Sequence, residues 1–141
     1  MEQRLTFVTL GVADLERARR FYADVFGWTP MNDTEGVVFF RLNGLVLALF
    51  PRHELAADAH VPDEGLGARI ALAHNLRSAA EVDALFTELR TKGVTITKWP
   101  EKVFWGGHSG YFTDPDGHLW EVAYNPFLDM DAAGNVTGMR G

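Results

Sequence analysis

Residues 111–122 are YFTDPDGHLWEV, the segment of the sequence that is most informative about its fold. Its centre, the DPDG segment at 114–117, has Asp first, Pro second and Gly fourth, which are the preferences of a type I turn. The flanking runs, residues 109–113 (SGYFT) and 118–124 (HLWEVAY), are rich in aromatic and β-branched side chains. The stretch therefore predicts a β-hairpin whose two strands are these runs.

Upstream of this hairpin, the pattern predicts a strand, a helix and a further strand. Residues 69–74 (RIALAH) alternate in hydrophobicity, as a strand with one buried face does. Ser78 and Glu81 have the spacing of a capping box at the start of a helix. Residues 94–99 (VTITKW) predict the next strand. The apolar stripe of the intervening helix consists of Val82, Leu85, Phe86 and Leu89.

The N-terminal half repeats this order. Residues 5–12 (LTFVTLGV) predict a strand, and Asp14 supplies an N-cap for the helix that follows. Gly27 is suited to end that helix, because glycine adopts the left-handed conformation without strain. Residues 37–50 (VVFFRLNGLVLALF) place an Asn-Gly pair between two apolar runs, a strong hairpin signal. The apolar face of the first helix consists of Leu15, Ala18, Tyr22, Val25 and Phe26.

The repeated order strand, helix, strand, strand, strand indicates an α+β fold made by internal duplication. We expect one domain over residues 1–141, with two βαβββ modules, a linker and a tail. The linker is rich in Pro, Ala and acidic residues, with one helical turn expected at 53–58, and the last residues of the tail are expected to be loose. These parts are the first module 4–50, the linker 51–67, the second module 68–125 and the tail 126–141.

Composition restricts the class of partner. The formal net charge is −6 without a basic stripe, so binding to nucleic acid or to an anionic membrane is not expected. No cysteine is present, which excludes disulfides and thiolate metal sites and suits a reducing compartment. The charged, amphipathic N-terminus does not have the pattern of a signal peptide, and no apolar stretch has the length of a membrane span. We therefore expect a soluble, cytoplasmic protein.

Two stretches carry a family resemblance. FVTLGVADLERARRFYADVFGW resembles the opening strand and helix of the vicinal-oxygen-chelate superfamily, which includes glyoxalases, bleomycin resistance proteins and dioxygenases, and YFTDPDGHLWEV resembles its closing hairpin. The resemblance covers residues 4–126. It implies curved mixed sheets around a cup-shaped cavity and a homodimer. It does not select one activity, since this fold hosts isomerases, dioxygenases, lyases, thiol transferases and drug-sequestering proteins.

The metal ligands that the resemblance implies are largely absent. Metal-using members take ligands from the first and last strands of each module. Those positions match Phe7, Ala48, Arg69 and Glu121, of which only Glu121 is of a ligand type. Phenylalanine and alanine supply no donor, and a guanidinium repels a divalent ion. We therefore expect no metal site of the family type and no cofactor.

Three residues are candidates for catalysis. Alternation along the strands predicts that Arg69 and Glu121 face the cavity, with Ile70, Leu72, Trp120 and Val122 on the helix side. We expect an ion pair between them, which either fills the former metal position or leaves the arginine to bind a carboxylate or enolate of a ligand. His108 lies in a glycine-rich loop, where it either transfers protons or points to water. For His74 a role at the end of its strand is expected, and for His118 a local hydrogen bond.

Aromatic residues are candidates for the wall of a small-molecule pocket. The leading hypothesis is a metal-free protein that binds a small organic molecule. The alternatives are a lyase or isomerase of glyoxalase type, with or without a divalent metal, and an accessory protein that has lost its site. Dioxygenase chemistry is least expected because the ligand set does not hold iron. The expected ligand-binding residues are Phe7, Thr9, Phe39, Ala48, Arg69, Trp105, Tyr111 and Glu121, with Trp99 and Phe104 as further candidate wall residues.

Overall fold

The computed structural model describes residues 3, 7–31, 35–60, 63–64 and 70–140. The chain divides into two compact units, Met1–Leu66 and Gly67–Gly141. Each unit consists of a mixed sheet and helices, which confirms the predicted α+β class. No helix in the described part of the chain is long and apolar enough to cross a membrane.

The second unit contains a complete βαβββ module. Its sheet has the order β4-β7-β6-β5, in which β4 and β7 are parallel and the other neighbours are antiparallel. The capping box is confirmed in part: Ser78 Oγ accepts from Glu81 N at 3.2 Å, but the Glu81 carboxylate accepts from Arg77 N at 2.8 Å, one residue before the expected partner. The elements are β4 (Ala71–Leu76), α3 (Ala79–Thr91), β5 (Thr95–Lys102), β6 (His108–Thr113) and β7 (Leu119–Tyr124).

The first unit has a sheet of order β1-β3-β2, with β1 parallel and β2 antiparallel to β3. Asp14 caps the helix as predicted, because its Oδ1 accepts from Arg17 N at 2.9 Å, and Gly27 follows with φ of 72°. Within the described residues this sheet has three strands, one fewer than the predicted βαβββ module contains. The elements are β1 (Phe7–Val12), α1 (Leu15–Arg20), a π-helical turn (Phe21–Val25), β2 (Val38–Arg41) and β3 (Val46–Pro51).

The segment between the modules is more helical than expected. Instead of one turn at 53–58, α2 covers Arg52–Ala59 and contacts β1 and β3. Gly11 permits this contact, because a Cβ there would lie 3.3 Å from both Arg52 Cγ and Leu55 Cδ2.

The prediction that the last residues of the chain are loose is wrong for residues 136–139. A hairpin of β8 (Leu128–Met130) and β9 (Val136–Met139) forms after the second module. The Asp131 carboxylate builds its turn by accepting from Ala133 N and Asn135 N, each at 2.9 Å. The Arg77 guanidinium holds the turn from outside, since its Nη2 donates to Asp131 O at 2.8 Å.

The start of β4 also differs from the prediction. The strand begins at Ala71, because its partner β7 begins only at Leu119 and the two residues are paired. Ile70 precedes the strand and is 62% exposed, so its expected place on the helix side is wrong. Arg69 lies outside the described residues.

Candidate functional site

One row of side chains crosses the sheet of the second unit. Tyr111 of β6 is paired with Glu121 of β7, which is paired in turn with Ala73 of β4. Paired residues project from the same face of a sheet. We call the face that carries Tyr111 and Glu121 the Glu121 face. Lys98 of β5, paired with Tyr111, ends the row and forms an ion pair with Glu101 at 3.2 Å.

The opposite face packs against α3. Trp120 and Val122, on either side of Glu121, are 5% and 1% exposed, as the alternation predicted. Phe112 stacks on Trp120 with ring centroids 6.4 Å apart and contacts Phe86 of α3 at 6.2 Å. The helix therefore covers this face and leaves Glu121 on the other one, where Tyr111 and Glu121 are half-buried.

The phenol of Tyr111 and the carboxylate of Glu121 are neighbours on this face. Desolvation, the negative charge of Glu121 and hydrogen bonding to its carboxylate, in that order, raise the pKa of Tyr111 above its ordinary value. Tyr111 therefore stays protonated as a donor at neutral pH.

The closing turn sets this register. The predicted turn at 114–117 forms, with Gly117 N donating to Asp114 O at 3.1 Å. The buried Asp114 side chain also accepts from His118 N at 2.9 Å and from His118 Nδ1 at 2.8 Å, which confirms a local hydrogen-bonding role for that histidine. His118 thereby joins the loop and β7 begins one residue later than predicted. A four-residue loop would have paired Tyr111 with Trp120 rather than with Glu121.

His108 is not brought together with Glu121. It is paired with Tyr124, three residues beyond Glu121, and so lies on the α3 side of the sheet. Its Nε2 is 2.7 Å from Asp83 Oδ1 of α3. His108 therefore connects the sheet with the helix and is not available to a ligand on the Glu121 face.

Two of the aromatic candidates also lie elsewhere. Trp99 packs on α3, 6.2 Å from the Phe86 ring and 5.4 Å below the Arg90 guanidinium. A bulge in β5 between Ile96 and Lys98 turns it to that side. Phe104 is fully exposed. The expectation that these two side chains line a pocket is therefore wrong for the second unit considered by itself.

Trp105 lies in the segment between β5 and β6, with its ring over Gly107, where a Cβ would overlap it. His74 lies in the middle of β4, not at its end, because the strand continues to Leu76. It is paired with Val122 and is exposed, yet desolvation lowers the pKa of its imidazole below the ordinary value.

The candidates of the first unit form a second row. Ala48 of β3 is paired with Thr9 of β1 and with Phe39 of β2, so the three residues share one face. Ala48 is buried, Phe39 is half-buried and Thr9 is exposed. The backbone of Phe7 pairs with Val46, two residues before the pair of Thr9 and Ala48. The side chain of Phe7 is not among the parts that the structure describes.

The donor set does not fit a metal of the family type. At the positions implied by the resemblance, Ala48 offers only a methyl group and Phe7 a hydrocarbon ring, so Glu121 alone is of a ligand type. Within the described residues, no group of three His, Cys, Asp or Glu side chains is placed to hold a metal ion. Zinc and iron sites in proteins use three or more protein donors. We therefore derive no chemistry through a metal.

Comparison with known proteins places these features in a family. The model of the Glyoxalase/Bleomycin resistance protein/Dioxygenase superfamily matches residues 4–122. A metallothiol transferase FosB from Shouchella clausii is 32% identical over 125 residues, which are 86% of this chain and 80% of that protein.

Solved structures agree with this match. A glyoxalase-related enzyme from Fulvimarina pelagi is 38% identical, with a TM-score of 0.89 over 98% of this chain and 99% of its own. A lactoylglutathione lyase from Agrobacterium tumefaciens is 26% identical, with a TM-score of 0.70 over 88% of this chain and 95% of its own.

Proposed function

Since this chain belongs to the Glyoxalase/Bleomycin resistance protein/Dioxygenase superfamily, we propose that it binds a small organic molecule without a metal of the family type. The binding surface is the Glu121 face of the second unit. Tyr111 and Glu121 are the polar anchor, and the apolar part of the ligand lies on the surrounding sheet.

The observation that carries this proposal is the strand register, which places Tyr111 beside Glu121 on the face of the sheet that α3 does not cover. A metal of the family type is not proposed, because Phe7 and Ala48 at the matched positions supply no donor and a guanidinium at position 69 repels a divalent ion. On this face Tyr111 and Glu121 are flanked by Ala73, Leu119 and Ala123 and by the polar side chains of Ser109 and Thr113. In a small-molecule site a few such polar groups fix the ligand's orientation.

The test is a screen of chelator-treated protein for melting-temperature shifts against a fragment set of mixed charge, followed by Glu121→Gln. A ligand that binds the folded state raises the melting temperature by mass action. We expect shifts for the wild type that Glu121→Gln reduces. The matched control is Glu88→Gln on α3, which removes an exposed ion pair with Lys92 but leaves the Glu121 face intact. Shifts that appear only after a metal is added would overturn the proposal, and so would the absence of any shift, the result that fits an accessory protein.

The second candidate function is a lyase or isomerase in which Glu121 acts as the base. The names of two relatives, a metallothiol transferase and a lactoylglutathione lyase, favour this candidate. Because His108 bonds to Asp83 on the other side of the sheet, the partner of Glu121 in such an enzyme would be Tyr111 or the predicted Arg69. Turnover of a carbonyl or thiol-adduct substrate that Glu121→Gln abolishes and Glu88→Gln preserves would select the enzyme over the binding protein.

Three further expectations stay proposals. The ion pair of Arg69 with Glu121 is tested by a double-mutant cycle, in which non-additive stability changes support it. A homodimer is tested by light scattering of the purified chain, since symmetric pairs are the commonest oligomers. A cytoplasmic location is tested by fractionation of the native host.

A further inference from the structure

We propose that Asn43 is a site of spontaneous deamidation, in which the backbone nitrogen of Gly44 attacks the side-chain amide and ammonia leaves. The reaction replaces the neutral tip of the hairpin between β2 and β3 with a carboxylate. This modification site is independent of the ligand site proposed on the Glu121 face.

The reaction proceeds through a cyclic imide and needs only water. The nitrogen of Gly44 forms a bond to Cγ of Asn43, the C–N bond of the side-chain amide breaks, and the proton of the attacking nitrogen leaves with the ammonia. Water then opens the ring at one of its two carbonyl groups. One opening gives aspartate, and the other gives isoaspartate, in which the main chain runs through the former side chain.

The residue that follows an asparagine decides how easily this ring closes. A side chain on that residue obstructs the attack, and glycine has none. Among the other described asparagines, Asn75 is followed by leucine, Asn135 by valine and Asn125 by proline, which has no N–H group. The sequence around Asn43 is therefore the most reactive of the four.

The structure leaves the attacking nitrogen accessible. Asn43 and Gly44 are both exposed, and a Cβ on Gly44 would have no heavy atom within 4 Å. The turn is closed beside them, where Leu42 N donates to Leu45 O at 2.8 Å. Gly44 N donates to no acceptor in the part of the chain that the structure describes. No hydrogen bond of this nitrogen therefore has to break before it attacks.

The DPDG turn provides the contrast within the same chain. Asp116 also precedes a glycine, and an aspartate forms the same cyclic imide by loss of water. There, however, Gly117 N donates to Asp114 O at 3.1 Å, and Oδ2 of Asp116 is enclosed by protein. Attack by this nitrogen would break the bond that closes the turn. The fold therefore protects Asp116, whereas it leaves Asn43 open to the reaction.

The experiment is peptide mapping by mass spectrometry of purified protein that has aged in buffer, one sample folded and the other unfolded in guanidinium chloride. Fragmentation of the main chain distinguishes isoaspartate from aspartate. In the folded sample we expect both products at position 43, formed at least about tenfold faster than any product at Asn75 or Asn135. In the unfolded sample isoaspartate should also appear at Asp116, because the bond from Gly117 is lost.

The matched variant is Asn43→Gln. Glutamine keeps the amide, but its longer side chain does not close the same ring, so the products at position 43 should disappear. Isoaspartate at Asp116 should still form in the unfolded sample of this variant. If the variant fails to fold, the folded and unfolded samples of the wild type still decide.

Three results would overturn the proposal. The first is an Asn43 that stays intact in the folded chain, whether or not it reacts in the unfolded chain. The second is equal conversion of Asp116 in both samples, because hydrogen bonding of the glycine nitrogen would then not control the reaction. The third is aspartate without isoaspartate at position 43, which indicates direct hydrolysis. None of these results bears on ligand binding at the Glu121 face, so the proposed function is tested separately.

Discussion

Removal of one oxygen atom in Tyr111→Phe tests the anchor of the site. The substitution keeps the ring and its packing but removes the phenol that donates to the Glu121 carboxylate. A hydrogen bond to a charged group contributes about 1.5–3 kcal/mol to stability. Because both residues are only half-buried, water screens the bond and we expect the free energy of unfolding to fall by about 1–2 kcal/mol.

A double-mutant cycle isolates this bond from other effects of the substitutions. We expect Tyr111→Phe and Glu121→Ala to show a coupling free energy of about 1–2 kcal/mol in urea unfolding at neutral pH. Tyr124→Phe, on the α3 side of β7 and away from the carboxylate, is the control and should add independently to Glu121→Ala. A coupling within about 0.3 kcal/mol of zero for Tyr111 and Glu121 would refute the reasoning.

The same bond predicts a pH dependence. The fold raises the pKa of Tyr111 above its ordinary value of 10.0, so the folded chain holds the phenol proton more tightly than the unfolded chain does. The resulting stability is fully present below pH 10.0 and is lost as the pH rises through the raised pKa. The wild type should therefore lose stability more steeply than Tyr111→Phe above this pH, and parallel curves would contradict the assignment.

Three further predictions concern the scaffold. Asp114→Ala removes a buried acceptor of hydrogen bonds from Asp116 N, His118 N and His118 Nδ1. We expect the free energy of unfolding in urea to fall by about 2–4 kcal/mol, and by less for Asp114→Asn, which keeps one acceptor oxygen. Equal losses for the two variants would contradict this account. Gly110→Ala places a Cβ 2.7 Å from Phe86 Cζ and 2.8 Å from Lys98 O, so calorimetry should show about 1–3 kcal/mol of destabilisation, and an unchanged melting temperature would show that the sheet and α3 separate easily. The fold lowers the pKa of His74 below 6.5, so its stabilising contribution is present above pH 6.5 and is lost as the pH falls toward the lowered pKa. Between neutral and mildly acidic pH, the free energy of unfolding in urea should therefore decline less for His74→Gln than for the wild type. Identical declines would count against the shift.

Local signals were sufficient to predict much of the fold. The cap at Asp14, the Asn-Gly hairpin at 43–44 and the DPDG turn at 114–117 each depend on residues within four positions of one another. All three form as predicted. Short-range chemistry of this kind is fully contained in the sequence.

The site was less predictable, because its partners come from distant parts of the chain. His108 finds Asp83 at a separation of 25 residues, which no local pattern indicates. Tyr111 was expected only as a pocket wall, and its bond to Glu121 depends on a loop that gains His118 through the Asp114 side chain. An Asp at the first turn position with a His four residues later is the signal that could have indicated the longer loop.

The C-terminal hairpin was not predictable either, because a single aspartate in the sequence does not show which backbone groups it will bind. The C-terminal hairpin depends on Asp131 accepting two backbone N–H groups and on Arg77, 54 residues earlier, holding the turn. The bonds to Asn135 and Ala133 lower the pKa of the Asp131 carboxyl below its usual range. Because the hydrophobic periodicity ends after Tyr124, the sequence of this hairpin predicts a loose tail and does not indicate these bonds.

The most direct test of the central claim is a calorimetric titration of chelator-treated protein with Zn²⁺, Mn²⁺ and Ni²⁺, for the wild type and Glu121→Gln. We predict no stoichiometric binding that depends on Glu121, because the matched positions of the first module, Phe7 and Ala48, supply no donor and one carboxylate does not make a metal site. One equivalent of any of these ions bound to the wild type and lost in Glu121→Gln would contradict the account.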